Sequence, residues 1–326
     1  MKPRVHGMAP HCTETAPSAT SPLFFFLLPN AMEGGMSRAA DVTCVADVGA
    51  VLGEGPVWDD RDQALYWLDI KGLRIFRRDQ AGAIQQWATP FRICSLAPRA
   101  AGGFIAGTER GFAEVDPVAG LYQPFLDPEP DRPGNRFNDG KLDREGRFWA
   151  GTMDDSEQAA TGALYRLDAD RSSRRFDDGY RVTNGPAFSL SGRRMYHNDS
   201  GRRLTYLFDL DEAGTPSNRR VFASYTEGQG HPDGLTVDAE DCLWIAFWGG
   251  WCVRRFSPSG ECIATIEMPV QQPTSCAFGG PLLDQLFVTS ASVGLNPAER
   301  ASQPFAGGLF MLDTRCVGVA GTRFQG

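Results

Sequence analysis

Apolar and polar residues alternate along short stretches of this chain, and the same arrangement returns about every 40–45 residues from residue 41 onward. Each unit begins at a polar corner that contains glycine and continues through a strand with alternating apolar residues. It then turns at Asp or Gly and enters a second strand rich in Trp, Phe or Tyr. The six units begin near residues 55, 95, 140, 185, 234 and 276, and the copies near 95 and 276 are weaker. The pattern predicts a series of small antiparallel sheets.

A strand repeat of this length is typical of propeller blades, so six copies predict an all-β, six-bladed β-propeller. A helical solenoid would show a period of about 3.6 residues, which no segment of useful length does. An irregular β-sandwich is the alternative, but its strands would not return at this period. The short strands at residues 42–45 and 308–312 lie at opposite ends of the chain. We expect them to pair within one blade and close the ring.

Two regions are predicted: an N-terminal tail over residues 1–38 and the propeller over residues 39–326. The tail is rich in Pro, Ala, Ser and Thr and lies outside every repeat. Its apolar run at residues 23–28 is too short for a membrane span and poorly placed for a signal peptide. We therefore expect this segment to be disordered and to contribute nothing to the fold.

The net charge of −8, with no basic stripe, argues against nucleic acid and anionic membranes as partners. The eight cysteines include no CxxC pair and no zinc-type pairing with histidine. They are expected to be small buried residues of strands, which favours a reducing, cytoplasmic location. A small molecule remains as the partner to expect, bound by a monomer or a weak homo-oligomer.

Four oxygen-bearing side chains occupy the same position of the repeat, immediately before the opening glycine. They are Glu54, Asp139, Asn184 and Asp233. Equivalent positions of a propeller are related by rotation about the central channel, so these side chains should face one point. Carboxylates that converge repel one another unless a cation lies between them, and oxygen ligands suit a hard divalent ion. Any single Asp-Gly or Asn-Gly could be a β-turn, and a wet polar channel without metal is the alternative for the set.

Seven motifs appear in order along residues 41–313 and together resemble those of a known family. They are residues 52–58 (LGEGPVW), 135–141 (NRFNDGK), 151–153 (GTM), 183–186 (TNGP), 196–200 (YHNDS), 232–234 (PDG) and 276–280 (CAFGG). The series resembles the senescence-marker-protein/regucalcin/gluconolactonase family of six-bladed propeller enzymes that hydrolyse sugar lactones. Residues 247–250 (FWGG) and 307–308 (GG) are most similar to its bacterial aldonolactonase branch.

The resemblance implies that Glu54, Asn184 and Asp233 bind one divalent metal ion, which could be Ca, Zn, Mn, Mg or Fe. It also implies that Arg136 and Asn138 contact the substrate. Here the two arguments differ, because the repeat register selects Asp139 whereas the family pattern selects Asn138. We follow the family pattern and expect Asp139 to be a turn residue or to support the ligands.

The general base is left open between Asp233 and Asp199. For Asp199, capping of a turn at the end of a strand is an equally good interpretation. Animal relatives have a sugar-contacting glutamate after the GTM motif, and the register places Ser156 at that position. His231 is expected to be a loop residue.

The predicted reaction is metal-dependent hydrolysis of a pentono- or hexonolactone, such as xylono-, arabinono-, galactono- or gluconolactone, to the aldonic acid. No GxSxG motif occurs, which argues against a serine hydrolase. A non-enzymatic, regucalcin-like propeller that binds calcium or another ligand is the alternative, and a scaffold that uses the propeller rim is a third class.

Overall fold

A computed structural model describes residues 41–326. The predicted tail over residues 1–38 lies outside the described residues, so that prediction stays untested. Within residues 41–326 the chain forms 24 strands, one α-helix, α1 (Pro297–Ser302), and two 3-10 helices at Ser200–Arg202 and Glu227–Gln229. No helix of this part of the chain has the length and apolar character needed to cross a membrane.

The strands form six antiparallel four-stranded sheets, and the first strand belongs to the last sheet. The chain begins with β1 (Val42–Ala46). Blade 1 contains β2 (Gly53–Asp59), β3 (Ala64–Asp69), β4 (Arg74–Asp79) and β5 (Ile84–Ala88). Blade 2 contains β6 (Ile93–Pro98), β7 (Phe104–Thr108), β8 (Gly111–Asp116) and β9 (Leu121–Leu126). Blade 3 contains β10 (Asn135–Leu142), β11 (Phe148–Asp154), β12 (Gly162–Leu167) and β13 (Ser173–Tyr180).

The remaining blades follow the same order. Blade 4 contains β14 (Thr183–Phe188), β15 (Arg194–Asp199), β16 (Leu204–Leu210) and β17 (Pro216–Ser224). Blade 5 contains β18 (His231–Val237), β19 (Leu243–Trp248), β20 (Cys252–Phe256) and β21 (Cys262–Glu267). Blade 6 contains β22 (Pro273–Gly279), β23 (Gln285–Ser290) and β24 (Leu309–Leu312), and β1 completes it.

The first strand of each blade is the innermost, and the six inner strands close a ring. Each of β2, β6, β10, β14, β18 and β22 packs against the next, and β22 packs against β2. The predicted pairing of the chain ends is confirmed, because β1 runs antiparallel to β24 with Val42 opposite Leu312 and Thr43 opposite Met311. All six predicted starts fall on inner strands or at their bounds, so the six-bladed propeller is confirmed.

The core lies between neighbouring blades and is built from the aromatic second strands that the repeat contains. Trp67, Trp149 and Trp244, on the second strands of blades 1, 3 and 5, are fully buried. Each such side chain stabilises the fold by about 1.5–3 kcal/mol or more through burial of apolar area. The seven cysteines of the described residues are all free thiols, and four of them are buried.

Every inner strand has an irregularity in its pairing with the second strand. In blades 4 and 5 the break lies between Asn184 and Ala187 and between Pro232 and Leu235. A bulge of this kind turns a side chain away from the regular pleat. The residue after each of Asn184 and Asp233 is glycine because the neighbouring blade is close. A Cβ on Gly185 would lie 2.5 Å from Leu235 Cδ2, and one on Gly234 would lie 2.0 Å from Ser275 Oγ.

The last residues of the chain run along the channel end where the inner strands finish. Phe324 N–H donates to Pro98 O (2.9 Å) in blade 2, and Ala239 N–H of blade 5 donates to Val317 O (2.8 Å). Gly318 N–H donates to Leu283 O (2.7 Å) in blade 6. The other end of the channel, where the inner strands begin, carries the site described next.

Candidate functional site

A polar cavity of about 460 Å³ opens where the inner strands begin. Its walls include five of the six predicted site residues: Glu54, Arg136, Asn138, Asn184 and Asp233. They come from four different blades, as the rotational argument predicts. The volume is that of a pocket for a small molecule.

Two carboxylates of this cavity are buried without a basic partner. Glu54 and Asp233 are each 7% exposed, and neither forms an ion pair within residues 41–326. Burial raises the pKa of Glu54 to about 8, with a further increase from the charge of Asp139. Burial, followed by repulsion from Glu54 and Asp139, also raises the pKa of Asp233 well above its usual value. The arrangement is costly unless protons or a cation neutralise the charges.

The amide of Asn184 completes a set of oxygen donors. Its Nδ2 donates to Ser200 Oγ (2.8 Å), which orients Oδ1, and Oδ1 accepts from Asn138 Nδ2 (3.2 Å). Two carboxylates and one amide oxygen suit a hard divalent ion. No group of three His, Cys, Asp or Glu side chains converges as a metal cluster in the described part of the chain. The donor set therefore fits a divalent ion only with the amide as its third member.

Arg136 and Asn138 form a preorganised polar pair beside the carboxylates. Arg136 Nη1 donates to Asn138 Oδ1 (2.8 Å) and to Phe137 O (2.9 Å), while its Nε donates to Asp155 Oδ1 (2.6 Å). Asn138 Nδ2 also donates to Thr183 O (2.8 Å). Both side chains are thus held in place before any ligand arrives, as residues that orient a substrate should be.

Asp139 has a different environment from its neighbour. Its two carboxylate oxygens accept from Gly140 N–H (2.7 Å) and Gly185 N–H (2.8 Å). It lies along a second cavity of about 350 Å³ towards the other end of the channel, beside Lys141. The carboxylate thus joins the corners of blades 3 and 4, which agrees with the supporting role expected for it.

Asp199 does not line the cavity. It is fully buried at the start of the 3-10 helix Ser200–Arg202, where its carboxylate accepts from Arg202 N–H (3.3 Å) and pairs with Arg202 Nη1 (2.6 Å). It also accepts from the backbone N–H groups of Arg181 (3.3 Å) and Val182 (3.4 Å). These contacts fit the capping interpretation that the sequence left open.

The residues of the cavity wall that were not assigned to the site from the sequence include four basic ones: Lys71, Arg181, Arg203 and His231. His231 was expected in a loop, but it is the first residue of β18. The other three lie on connections between strands, where the repeat register gives no information. Excess positive charge on these connections is the one signal that the sequence offered.

The residue that follows the GTM motif and lines the cavity is also not the one expected. Ser156 is exposed and donates through Oγ to Asp154 Oδ2 (2.6 Å), and it is not part of the wall. Glu157, the next residue, lines the cavity instead and adopts a positive φ of 61°.

Comparison with known proteins, by family model, by sequence and by structure, points to one family in each case. Residues 52–292 match the model of the SMP-30/gluconolactonase/LRE-like region. The chain is 35% identical over 285 residues to 6-deoxy-6-sulfogluconolactonase from Pseudomonas putida, covering 87% of this chain and 98% of that protein. It is 36% identical over 293 residues to L-arabinolactonase from Azospirillum brasilense, covering 88% and 97%. The crystal structure of the calcium-binding protein regucalcin from Agrobacterium tumefaciens superposes with a TM-score of 0.83 at 28% identity, covering 88% and 97%.

Proposed function

The chain belongs to the SMP-30/gluconolactonase/LRE-like family, and from this premise we propose that it hydrolyses a pentono- or hexonolactone with the aid of one divalent metal ion. The observation that carries the proposal is the pair of buried carboxylates, Glu54 and Asp233, which face a sugar-sized cavity without a basic partner among residues 41–326. The sugar lactonases among its relatives support the reaction class.

Glu54, Asp233 and the Oδ1 atom of Asn184 would hold the ion. When bound, a divalent ion would supply Lewis-acid polarisation of the lactone carbonyl and a more acidic water. Asp233 accepts the proton that water releases as the carbonyl is attacked. We assign this role to Asp233 because the carboxylate of Asp199 is occupied by its cap contacts outside the cavity.

Arg136 and Asn138 would bind the sugar ring. Arg136 has a planar set of donors, two of them already directed by Asp155 and Asn138. With the guanidinium fixed in this way, little conformational entropy is lost when a hydroxyl or carbonyl oxygen of the lactone binds. We therefore expect Arg136 to contribute to substrate binding and not to metal binding.

A second candidate, calcium binding without catalysis, is favoured by the likeness to the calcium-binding regucalcin. The two candidates differ in one measurable property. A binding protein would take up the ion, and less of it when an oxygen donor is removed, but would leave every lactone intact. An enzyme would require the ion for turnover.

The test is a panel of xylono-, arabinono-, galactono- and gluconolactones, assayed with the full chain after chelation and after addition of single divalent ions. Hydrolysis should disappear with the ion and return with it. Arg136→Ala should lower kcat/KM by roughly 5- to 150-fold, the effect of about 1–3 kcal/mol of lost hydrogen bonding, and should keep its metal content.

Three outcomes would count against parts of this assignment. Turnover that is indifferent to chelation would remove the metal from the mechanism. Metal uptake without turnover of any lactone would favour the second candidate. An unchanged kcat/KM in Arg136→Ala would place this residue outside substrate binding.

A further inference from the structure

The cavity wall is more basic than the rest of the chain would suggest. The protein has a net charge of −8, yet the charged residues of the wall are four cations and three carboxylates: Lys71, Arg136, Arg181, Arg203, Glu54, Asp233 and Glu157. Arg136 already has a counterpart, because it pairs with Asp155 (2.6 Å). Glu54 and Asp233 would together balance the divalent ion of the proposed function.

Three cations and one carboxylate then remain. Lys71, Arg181 and Arg203 form no ion pair with any acidic side chain of residues 41–326. Lys71 is exposed and the two arginines are half-buried. Glu157 offsets one of the three charges, so the site keeps an excess of two positive charges where the substrate enters. Because partly buried charge is costly, an unpaired cluster of this kind indicates an anionic ligand.

Arg203 is the member of the cluster whose side chain has a defined polar contact among the described residues. It follows the 3-10 helix Ser200–Arg202 with a left-handed φ of 57°, an uncommon conformation for arginine. Its Nη2 lies 3.3 Å from His231 Nε2, and His231 Nδ1 lies 2.8 Å from Ser200 O. A carbonyl can only accept, so the proton is on Nδ1 and the free Nε2 accepts from Arg203. The guanidinium is fixed from one side, and its buried Nε has no acceptor among the described residues.

The same short helix joins this cluster to the oxygen donors. The carbonyl oxygen of Ser200 accepts a hydrogen bond from His231 Nδ1, and its hydroxyl oxygen accepts one from Asn184 Nδ2. Arg203 therefore has a fixed position relative to the carboxylates but is more exposed than they are. A ligand that places its carbonyl at the carboxylates would present its other end to the cations.

We propose that the lactone carries an oxyanion, such as a sulfonate, phosphate or carboxylate, on the carbon remote from the lactone carbonyl. Arg203, assisted by Arg181 and Lys71, binds this group; the inference rests on the proposed lactonase function. An arginine fork suits such a group because it donates two parallel hydrogen bonds to two oxygens of one anion.

The experiment compares gluconolactone with three derivatives whose terminal carbon bears a sulfonate, a phosphate or a carboxylate. All four are assayed with the metal-loaded full chain after subtraction of the uncatalysed rate. At least one anionic lactone should have a kcat/KM roughly 10- to 100-fold above that of gluconolactone, the effect of one or two charged hydrogen bonds. The rank of the three derivatives identifies the oxyanion. The ratio should fall with ionic strength, because part of the wall is exposed.

Arg203→Gln should reduce this ratio to near unity, and Arg181→Gln should reduce it in part. Arg193→Gln is the matched control, because Arg193 is an exposed arginine paired with Glu212 (3.1 Å) outside the cavity. It should leave the ratio unchanged. If Arg203→Gln does not fold, Arg181→Gln and the substrate comparison in the parent protein still decide the question.

Gluconolactone turned over as fast as all three anionic derivatives would overturn the inference and leave the lactonase proposal intact. A preference for the anion that survives both arginine substitutions would remove the assignment to this cluster. Failure to turn over any lactone, neutral or anionic, would instead defeat the proposed function and this inference with it.

Discussion

The two ends of the central channel both contain buried carboxylates, but these carboxylates have opposite surroundings. At the end where the inner strands finish, Asp143 and Asp238 each accept from an arginine and from a tryptophan Nε1. At the end where the strands begin, Glu54 and Asp233 lie beside a cavity with no ion pair among the described residues. The repeat thus places carboxylates at both ends of the channel, with ion pairs at one end and without them at the other.

The satisfied end shows what a structural carboxylate requires. Asp238 accepts from Trp244 Nε1 (2.8 Å) and Arg255 Nε (2.8 Å), and from the backbone N–H groups of Glu240 (2.9 Å) and Cys242 (3.0 Å). Each oxygen has two donors, so nothing remains for a ligand. The C-terminal residues reinforce this end, where Arg323 Nη2 pairs with Asp59 (3.1 Å). Burial alone does not indicate a functional carboxylate, whereas burial beside a cavity without an ion pair does. Glu54, for example, accepts from the backbone N–H of Gly55 (3.0 Å) but has no basic partner among the described residues.

Removal of a satisfied carboxylate should give the largest effect on stability. Asp238→Ala leaves Arg255 and the indole N–H of Trp244 without their acceptor, as well as two backbone N–H groups. The free energy of unfolding should fall by about 3–5 kcal/mol, the usual cost of breaking a buried pair. Urea unfolding of the full chain measures it.

The specific activity of Asp238→Ala per folded molecule should equal that of the parent protein below the unfolding transition. A folded variant without turnover would mean that this end of the channel takes part in catalysis and that the comparison is wrong.

Removal of a carboxylate that has no ion pair should instead lower activity and leave the free energy of unfolding almost unchanged. Asp233→Asn should lower kcat/KM by roughly 10²–10³-fold, which is the usual effect of losing one preorganised electrostatic group. The variant should also lose its bound metal. The metal-free variant should be as stable as the parent or more stable by about 1 kcal/mol, because it no longer buries an unpaired acid. Metal analysis, kinetics and urea unfolding on one preparation test all three.

The pH dependence sharpens this prediction. Burial raises the pKa of Asp233, so the native metal-free protein retains a proton that the unfolded chain has released. The metal-free parent should therefore lose stability as pH rises above the ordinary aspartate pKa, and Asp233→Asn should reduce that slope. A variant that is destabilised at every pH, like Asp238→Ala, would contradict the distinction between the two ends.

The architecture was predictable from the sequence because every blade repeats the same alternation and the same corner. The six inner strands follow from that repeat, and the pairing of β1 with β24 follows from the need to close the ring. The corner glycines have a local cause, as Gly185 and Gly234 show: the next blade leaves no room for a side chain. Such constraints act over a few residues and can be read from the chain.

The site was predictable only where it follows the repeat. Register brought Glu54, Asn184 and Asp233 to one cavity, but it could not distinguish Asp139, whose oxygens are used by two backbone N–H groups of the corner. The basic wall comes from connections between strands, and Arg203 reaches it through a left-handed turn after a short helix. These positions depend on contacts between blades, which no local pattern contains.

His197 tests whether an unpaired polar group is enough to indicate a site. It is fully buried in blade 4, its ring packs edge-on against Tyr180 at 4.9 Å, and neither ring nitrogen has a hydrogen-bond partner among the described residues. It lines neither of the two cavities described above. Without a cavity there is no room for a ligand, so we expect no role in activity.

Replacement of His197 should therefore change acid stability and little else. Burial lowers the pKa of His197 to about 3, whereas the unfolded chain binds this proton below the ordinary histidine pKa of 6.5. The unfolded state thus binds more protons between these values, and the parent protein should lose up to about 1.4 kcal/mol per pH unit as pH falls through that window.

His197→Phe keeps an aromatic ring of similar size without the unpaired nitrogens, so its free energy of unfolding at pH 7 should lie within about 1 kcal/mol of the parent value. The variant should lose less stability in acid, and its kcat/KM should not change. Urea unfolding from pH 7 to pH 4 measures the slope, with Arg193→Gln as a surface control. A selective loss of turnover in folded His197→Phe would show that an unpaired buried group can act from outside the cavity, and the criterion drawn from the two channel ends would then be too narrow.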